Sequence, residues 1–259
     1  MADFDLNACA ALVERGDPVR FRAAMAAPVP ARAVLFPLYA FNIEVARAPW
    51  VTGQPMIAQM RLQWWRDALA EIAAGGVVRR HEVVTPLALA IRAEDVPALD
   101  RLVAARERDI SGERFADEAA LWSYLEATAG GLIEVAARRL GGNDSGGAAL
   151  APSAGRALGL VNWLMAVPAL RAAGRQPLPE GVDIAALAAE GLASFDVVGR
   201  GLPGLTASAR GAFLPLAGFR GVLRRAARDV AAVEEDRLEP GPFGARLRLA
   251  LTAATGRLW

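Results

Sequence analysis

Apolar residues recur at three- and four-residue steps along almost the whole chain. Alternating runs joined by Asn-Gly or Asp-Gly turns are absent. Wound at 3.6 residues per turn, such spacing gathers the apolar side chains on one face; in a strand it would scatter them over both. Helices are expected after Asp5 and after Asp17-Pro18, where proline fits the first turn. A third is expected over about 30–48, with Val34, Leu35, Leu38, Phe41 and Val45 on one side and Pro37 bending it or moving its start. A fourth opens at Pro55, carries Met56, Met60, Gln63, Trp64 and Leu69, and stops near Gly75-Gly76. Others are expected over about 86–93, 96–110, 117–140, 152–173 and 208–237, with a short one after Pro242. Residues 141–147 read as the most loop-like stretch. With no fixed-period repeat or low-complexity block, the expectation is one all-α domain over residues 1–259.

Composition narrows the function. The chain has 259 residues, 54% hydrophobic and 22% charged, which excludes a disordered chain. A domain of this length buries roughly three quarters of its unfolded surface. The balance of 29 basic and 28 acidic residues gives a net charge of +1, with no field to attract nucleic acid. Every basic residue is arginine, so a lysine Schiff base and a phosphate-loop lysine are both ruled out. The single cysteine, Cys9, can form no internal disulfide. The acidic start of the chain lacks the basic region of a signal peptide, and the longest uncharged run, 157–170, is too short to span a bilayer. The expectation is a cytoplasmic protein with room for a peripheral membrane contact.

Few residues offer chemistry. His81 is the only histidine, so a histidine triad or multi-histidine metal site is impossible; within Arg79-Arg80-His81-Glu82 it reads as a solvated loop residue. Cys9 reads as a small buried apolar residue. Asp67 with Glu71, and Asp109 with Glu113, have the i,i+4 spacing that can grip a divalent cation, although Ser111-Gly112 should break the second pair's helix. Amid Arg66, Arg106, Arg108 and Arg114, both pairs read more simply as solvated, salt-bridged faces. Phe213, Leu216, Phe219, Leu223 and Val230, flanked by Arg220, Arg224, Arg225 and Arg228, suit either a core-facing stripe or a basic surface for acidic lipids, the core being preferred.

Two stretches resemble the squalene/phytoene synthase family. One is Leu38-Tyr39-Ala40-Phe41-Asn42, followed by Arg61-Leu62-Gln63-Trp64-Trp65-Arg66-Asp67. The other runs from Gly155-Arg156-Ala157-Leu158-Gly159-Leu160-Val161-Asn162 to Gly174-Arg175-Gln176-Pro177-Leu178-Pro179. Glu107-Arg108-Asp109-Ile110 and Tyr124 to Gly130 lie between them and are also similar. The resemblance implies an all-α isoprenoid-synthase-like helical bundle. It also implies an enzyme that joins two prenyl diphosphates, with two Asp-x-x-x-Asp motifs holding magnesium against the diphosphate charge.

This sequence departs from the pattern at the metal positions. Counted from Tyr39, the first pair falls on Ala46 and Trp50, with Arg47 replacing an adjacent aspartate; counted back from Arg175, the second falls on Ala166 and Leu170. Met165 replaces an arginine, and Pro168 enters the motif. Residues 45–52 and 157–174 contain no acid, so a one-residue shift restores nothing; Glu44 is the nearest carboxylate. One branch of the family, the mitochondrial complex I assembly factors, resembles Tyr39 to Ala46 and the stretch from Met60 through Arg61 and Gln63 to the tryptophans, and lacks those aspartates. The resemblance implies a non-catalytic assembly helper near the inner membrane, working on complex I subunits or assembly intermediates.

On this reading no cofactor is expected, and Ala46, Trp50, Ala166 and Leu170 line an apolar cavity. Tyr39, Phe41, Asn42, Glu44, Arg61, Trp64, Trp65, Asn162, Met165 and Arg175 are the candidate pocket or framework residues. The cavity either takes a lipid or quinone-like tail or is filled by side chains such as Trp50 and Met165; its composition suits both. The alternative is an active head-to-head prenyl diphosphate synthase with magnesium displaced to Glu44, Asp67, Glu71 or Asp109. A generic interaction scaffold is a second rival.

Overall fold

The computed structural model describes residues 2–141 and 146–259. Helices run α1 Ala2–Gly16, α2 Pro18–Ala26, α3 Arg32–Arg47, α4 Pro55–Ala74, α5 Val84–Ala90, α6 Val96–Ser111 and α7 Glu118–Leu125. They continue as α8 Gly131–Gly141, α9 Gly146–Ala172, α10 Ile184–Gly201, α11 Ala207–Arg210, α12 Arg220–Arg228, α13 Ala231–Glu234 and α14 Pro242–Thr255. No strand occurs among the described residues.

Local chemistry sets many of the boundaries. The Asp17 carboxylate accepts from the Arg20 amide at 2.9 Å, and Pro18 opens α2 behind it. Asp117 and Asp183 cap α7 and α10 in the same way. Gly75 and Gly112 end α4 and α6 with φ of 67°, a left-handed turn that glycine adopts at little cost.

α9 forms the centre. It is apolar on most sides, as a helix surrounded by others must be. It packs on α8, α10 and the π-helical turn Glu126–Gly130. α3 packs on α1, α5 and α8, α4 packs on α6, and α10 packs on α12.

Several expectations need correction. The helix expected over 117–140 is divided by the π turn, whose Thr128 hydroxyl donates to the Tyr124 carbonyl at 2.7 Å. α9 begins before Pro152 and continues past Pro168; the centre of the loop expected over 141–147, residues 142–145, lies outside the described residues. α10 was not expected, although Leu187, Ala188, Gly191, Phe195 and Val198 mark its buried face behind the Asp183 cap. The helix expected over 208–237 is broken into α11, a 3-10 segment Gly211–Leu216, α12 and α13. Pro215 and Gly218, at φ 88°, interrupt it. Phe213, Leu216, Phe219 and Leu223 are buried there and Val230 is exposed; Arg220 pairs with Asp196 at 2.7 Å, so this stripe faces the core.

Candidate functional site: an arginine-rimmed cavity

A cavity of about 600 Å³ opens between α3, α6, the π turn and α9. α3 contributes Asn42 and Ala46, one turn apart, and Trp50 follows its end. α9 contributes Asn162, Met165, Ala166 and Leu170 at three- and four-residue steps. Ala46, Trp50, Ala166 and Leu170 therefore share one space, with Arg175 at its edge. Trp50 is 46% exposed, and it and Met165 line the space without closing it.

The other named positions lie elsewhere. Phe41 is buried with its ring edge-on to Trp65, centroids 5.3 Å apart. Tyr39 is buried in the same core, and burial pushes its hydroxyl well above the usual tyrosine range. Glu44 is half-buried and Arg61 is exposed; neither lines the cavity. Trp64 and Trp65 stack edge to face at 5.0 Å, and His81 packs against both at 5.1 and 5.6 Å. His81 Nδ1 accepts the Val83 amide at 3.1 Å, so this histidine is a half-buried packing residue and not the solvated one expected.

The polar wall differs from the expectation. Asp109, expected on a solvated face, is buried. Its carboxylate accepts from the Tyr124 hydroxyl at 2.8 Å and from Arg106 Nη1 at 3.1 Å; Arg106 also donates to the Tyr124 oxygen. Burial raises the Tyr124 hydroxyl far above its ordinary range, so it stays a donor. Phe115, Tyr124 and Trp163 pack edge to face with centroids 5.1–5.6 Å apart, and Trp163 Nε1 donates to the Pro177 carbonyl at 2.8 Å. Arg20, Arg106, Arg108, Tyr124 and Thr128 line the cavity as well. The signal was the clustering of Arg106, Arg108 and Asp109 one helix before Tyr124, but only the fold turns that face inward.

The carboxylates present do not fit a magnesium clamp. Asp17, Asp109 and Glu113 are the acids lining the cavity. Asp17 caps α2 and pairs with Arg20, and Asp109 is held by Arg106 and Tyr124. Asp67 accepts from Gln63 at 2.7 Å, while Glu71 is gripped by Arg79 at 2.6 Å and kept below the usual carboxylate range by those hydrogen bonds. Among the described residues, no three His, Cys, Asp or Glu side chains are grouped to hold a metal ion.

The sequence model of squalene/phytoene synthases matches residues 13–246. The chain belongs to the squalene/phytoene synthase family. A Drosophila melanogaster homologue of NADH dehydrogenase (ubiquinone) complex I assembly factor 6 is 31% identical over 180 residues, 66% of this chain and 52% of that protein. The Homo sapiens assembly factor 6 is 25% identical over 162 residues, 62% of this chain and 48% of that protein. This chain thus spans about half the length of these relatives. In fold it is similar to a dehydrosqualene synthase crystallised with a ligand, with a TM-score of 0.80, 15% identity and coverage of 98% of this chain and 96% of that one. The family's isoprenoid-synthase-like bundle is therefore this chain's fold. No described helix is long and apolar enough to cross a membrane.

Proposed function

We propose that this chain is a non-catalytic squalene/phytoene-synthase-like protein that assists assembly of the respiratory NADH:quinone oxidoreductase, with a cavity for an apolar-chain ligand. One observation carries the reading. The four positions that should present carboxylates to magnesium are Ala46, Trp50, Ala166 and Leu170, and all four face one cavity. Without oxygen ligands, nothing there offsets the charge of a departing diphosphate. The similarity to complex I assembly factors supports the assembly role.

The same reading turns residues 50–60 towards a membrane. Met56 is 72% and Met60 66% exposed, and Trp50, Val51 and Ile57 are exposed beside them. Arg47 and Arg61 flank this segment, and no acid occurs between Glu44 and Asp67. Apolar side chains with nearby cations suit an anionic bilayer surface.

The test pairs two measurements. The purified, folded protein is given farnesyl or geranylgeranyl diphosphate with excess magnesium, and diphosphate release is followed. No release is expected, and a strain lacking the gene should hold less assembled complex I. Steady release, lost in Asp109→Asn or Asp67→Asn, would establish the displaced-metal synthase instead. Intact complex I in the deletion strain would remove the assembly role.

A further inference from the structure

A second depression, of about 530 Å³, shares none of its lining with the central cavity. It lies between α10, α12 and α14, with Leu258 and Trp259 at its side. Four arginines line it: Arg200 from α10, Arg220 and Arg224 from α12, and Arg248 from α14. Asp196 is the one acid among its described lining residues, and Arg220 holds it at 2.7 Å. Residues 240–259 contain no acid at all. The chain as a whole carries a net charge of only +1, so the excess of cations here is local.

Other arginines without a carboxylate, such as Arg32, Arg210 and Arg225, donate to backbone carbonyls instead. Among the described residues, the guanidiniums of Arg200, Arg224 and Arg248 have neither kind of partner. The space they line is open. Gly199 and Gly221 belong to the lining, and no neighbouring atom stands within 4 Å of a Cβ added at either. Arg248 folds back over Gly244, where an added Cβ would fall 3.0 Å from Nη1. The remaining wall is apolar: Phe195 is buried, Leu258 half-buried and Trp259 exposed, its indole held by a hydrogen bond from Nε1 to Thr255 Oγ1 at 3.3 Å. Charges of one sign set against apolar walls concentrate the field in the space between them.

We propose that this depression is a phosphate-binding site, with the phosphate group held directly by Arg200, Arg224 and Arg248. Guanidinium forks match phosphate oxygens, and a phosphate offers enough of them for several forks at once, where a carboxylate offers two. The group belongs either to a small soluble molecule or to a lipid headgroup. The lipid source is open because α14, which carries Arg248, also exposes Phe243, Leu247 and Leu251 at four-residue steps, a face that suits a bilayer surface. The inference goes beyond the assembly role and stands without it and without the central cavity.

Titration calorimetry of the full chain with inorganic phosphate at low salt tests it. Arg200→Gln, Arg224→Gln and Arg248→Gln should each weaken binding about tenfold, the contribution of one charge-assisted hydrogen bond. Arg246→Gln removes the same charge from the same helix, but Arg246 lies outside the lining, so binding should be unchanged. Gly221→Leu keeps every charge and fills the space; it should abolish binding. All five positions are exposed, so each variant should keep the wild-type Tm. Sedimentation with phosphatidylcholine vesicles containing phosphatidic acid separates the sources. Less sedimentation of Arg248→Gln and Gly221→Leu than of the wild type points to a lipid headgroup. Unchanged sedimentation, with inorganic phosphate binding lost in the same variants, points to a soluble phosphate. Both results support the site. Four results would each overturn it: no phosphate binding together with no effect on vesicles, variants of the three arginines that bind like the wild type, an equal loss in Arg246→Gln, or a hexaglutamate peptide that binds more tightly than phosphate with the same arginine dependence. The last would assign the depression to an acidic protein segment.

Discussion

Tyr124 and Asp109 show how much a buried hydroxyl can do for a carboxylate. The Tyr124 hydroxyl lies 2.8 and 3.0 Å from the two Asp109 oxygens, and Arg106 completes the cluster. Tyr124→Phe removes that donor while keeping the ring among Phe115 and Trp163. A loss of about 1–3 kcal/mol is expected in urea unfolding, the usual cost of leaving a buried acceptor short of a partner. Asp95 makes a second case. It is fully buried, accepts the Arg92 amide at 2.9 Å and pairs with Arg138 and Arg139, each at 3.0 Å. Burial raises its carboxyl above the ordinary range; the Arg92 amide and the two arginines pull the other way without cancelling this. Folded Asp95 therefore takes a proton more readily than in the unfolded chain. Its contribution to stability is greatest below the ordinary carboxylate pKa and falls as pH rises through the raised one. Unfolding free energies of wild type and Asp95→Asn, compared across about pH 3.5–7, should show the wild type losing stability relative to the variant as pH rises.

At the scale of elements, α9 and the π turn approach as closely as their backbones allow. Gly155 on α9 meets Gly130 backbone to backbone, and a Cβ at Gly155 would stand 2.3 Å from the Gly130 Cα and 2.7 Å from its nitrogen. Backbone cannot swing aside as a side-chain tip can, so Gly155→Ala must push the elements apart. We expect a loss near the upper end of the usual overpacking cost, about 3 kcal/mol, seen as a Tm drop of roughly 6–12 °C. Gly53→Ala, with no atom near its added Cβ, is the matched control and should leave Tm almost unchanged. The π turn also explains why one long helix was expected over 117–140: the apolar rhythm continues through it, and only one widened turn separates α7 from α8.

Across the whole molecule, the exposed apolar segment and the cavity mouth meet at Trp50, which belongs to both. On the proposed membrane contact, Met56→Glu with Met60→Glu should cut co-sedimentation with phosphatidylglycerol vesicles severalfold while leaving Tm unchanged, because both side chains are already exposed. The same pair of substitutions on a protein that docks to another protein would leave vesicle binding at its starting level. Phosphatidylcholine vesicles should bind the wild type more weakly, since Arg47 and Arg61 gain from anionic headgroups.

The sequence by itself determined the helical class, the family motifs and the absence of acids from residues 45–52 and 157–174, because periodicity, motif order and residue identity are local properties. α10 is equally legible, through the Asp183 cap and the apolar spacing to Val198. Only the tertiary structure decided that Asp109 is buried, that His81 packs against Trp64 and Trp65, and that Phe213 and Leu223 face the core. Burial depends on what another helix brings opposite a residue, and neither spacing nor charge along the chain contains that. The contact of Tyr124 with Arg106, 18 residues apart, is decided in the same way, whereas the pairs Arg20–Asp17 and Arg106–Asp109 are local, three residues apart along the chain.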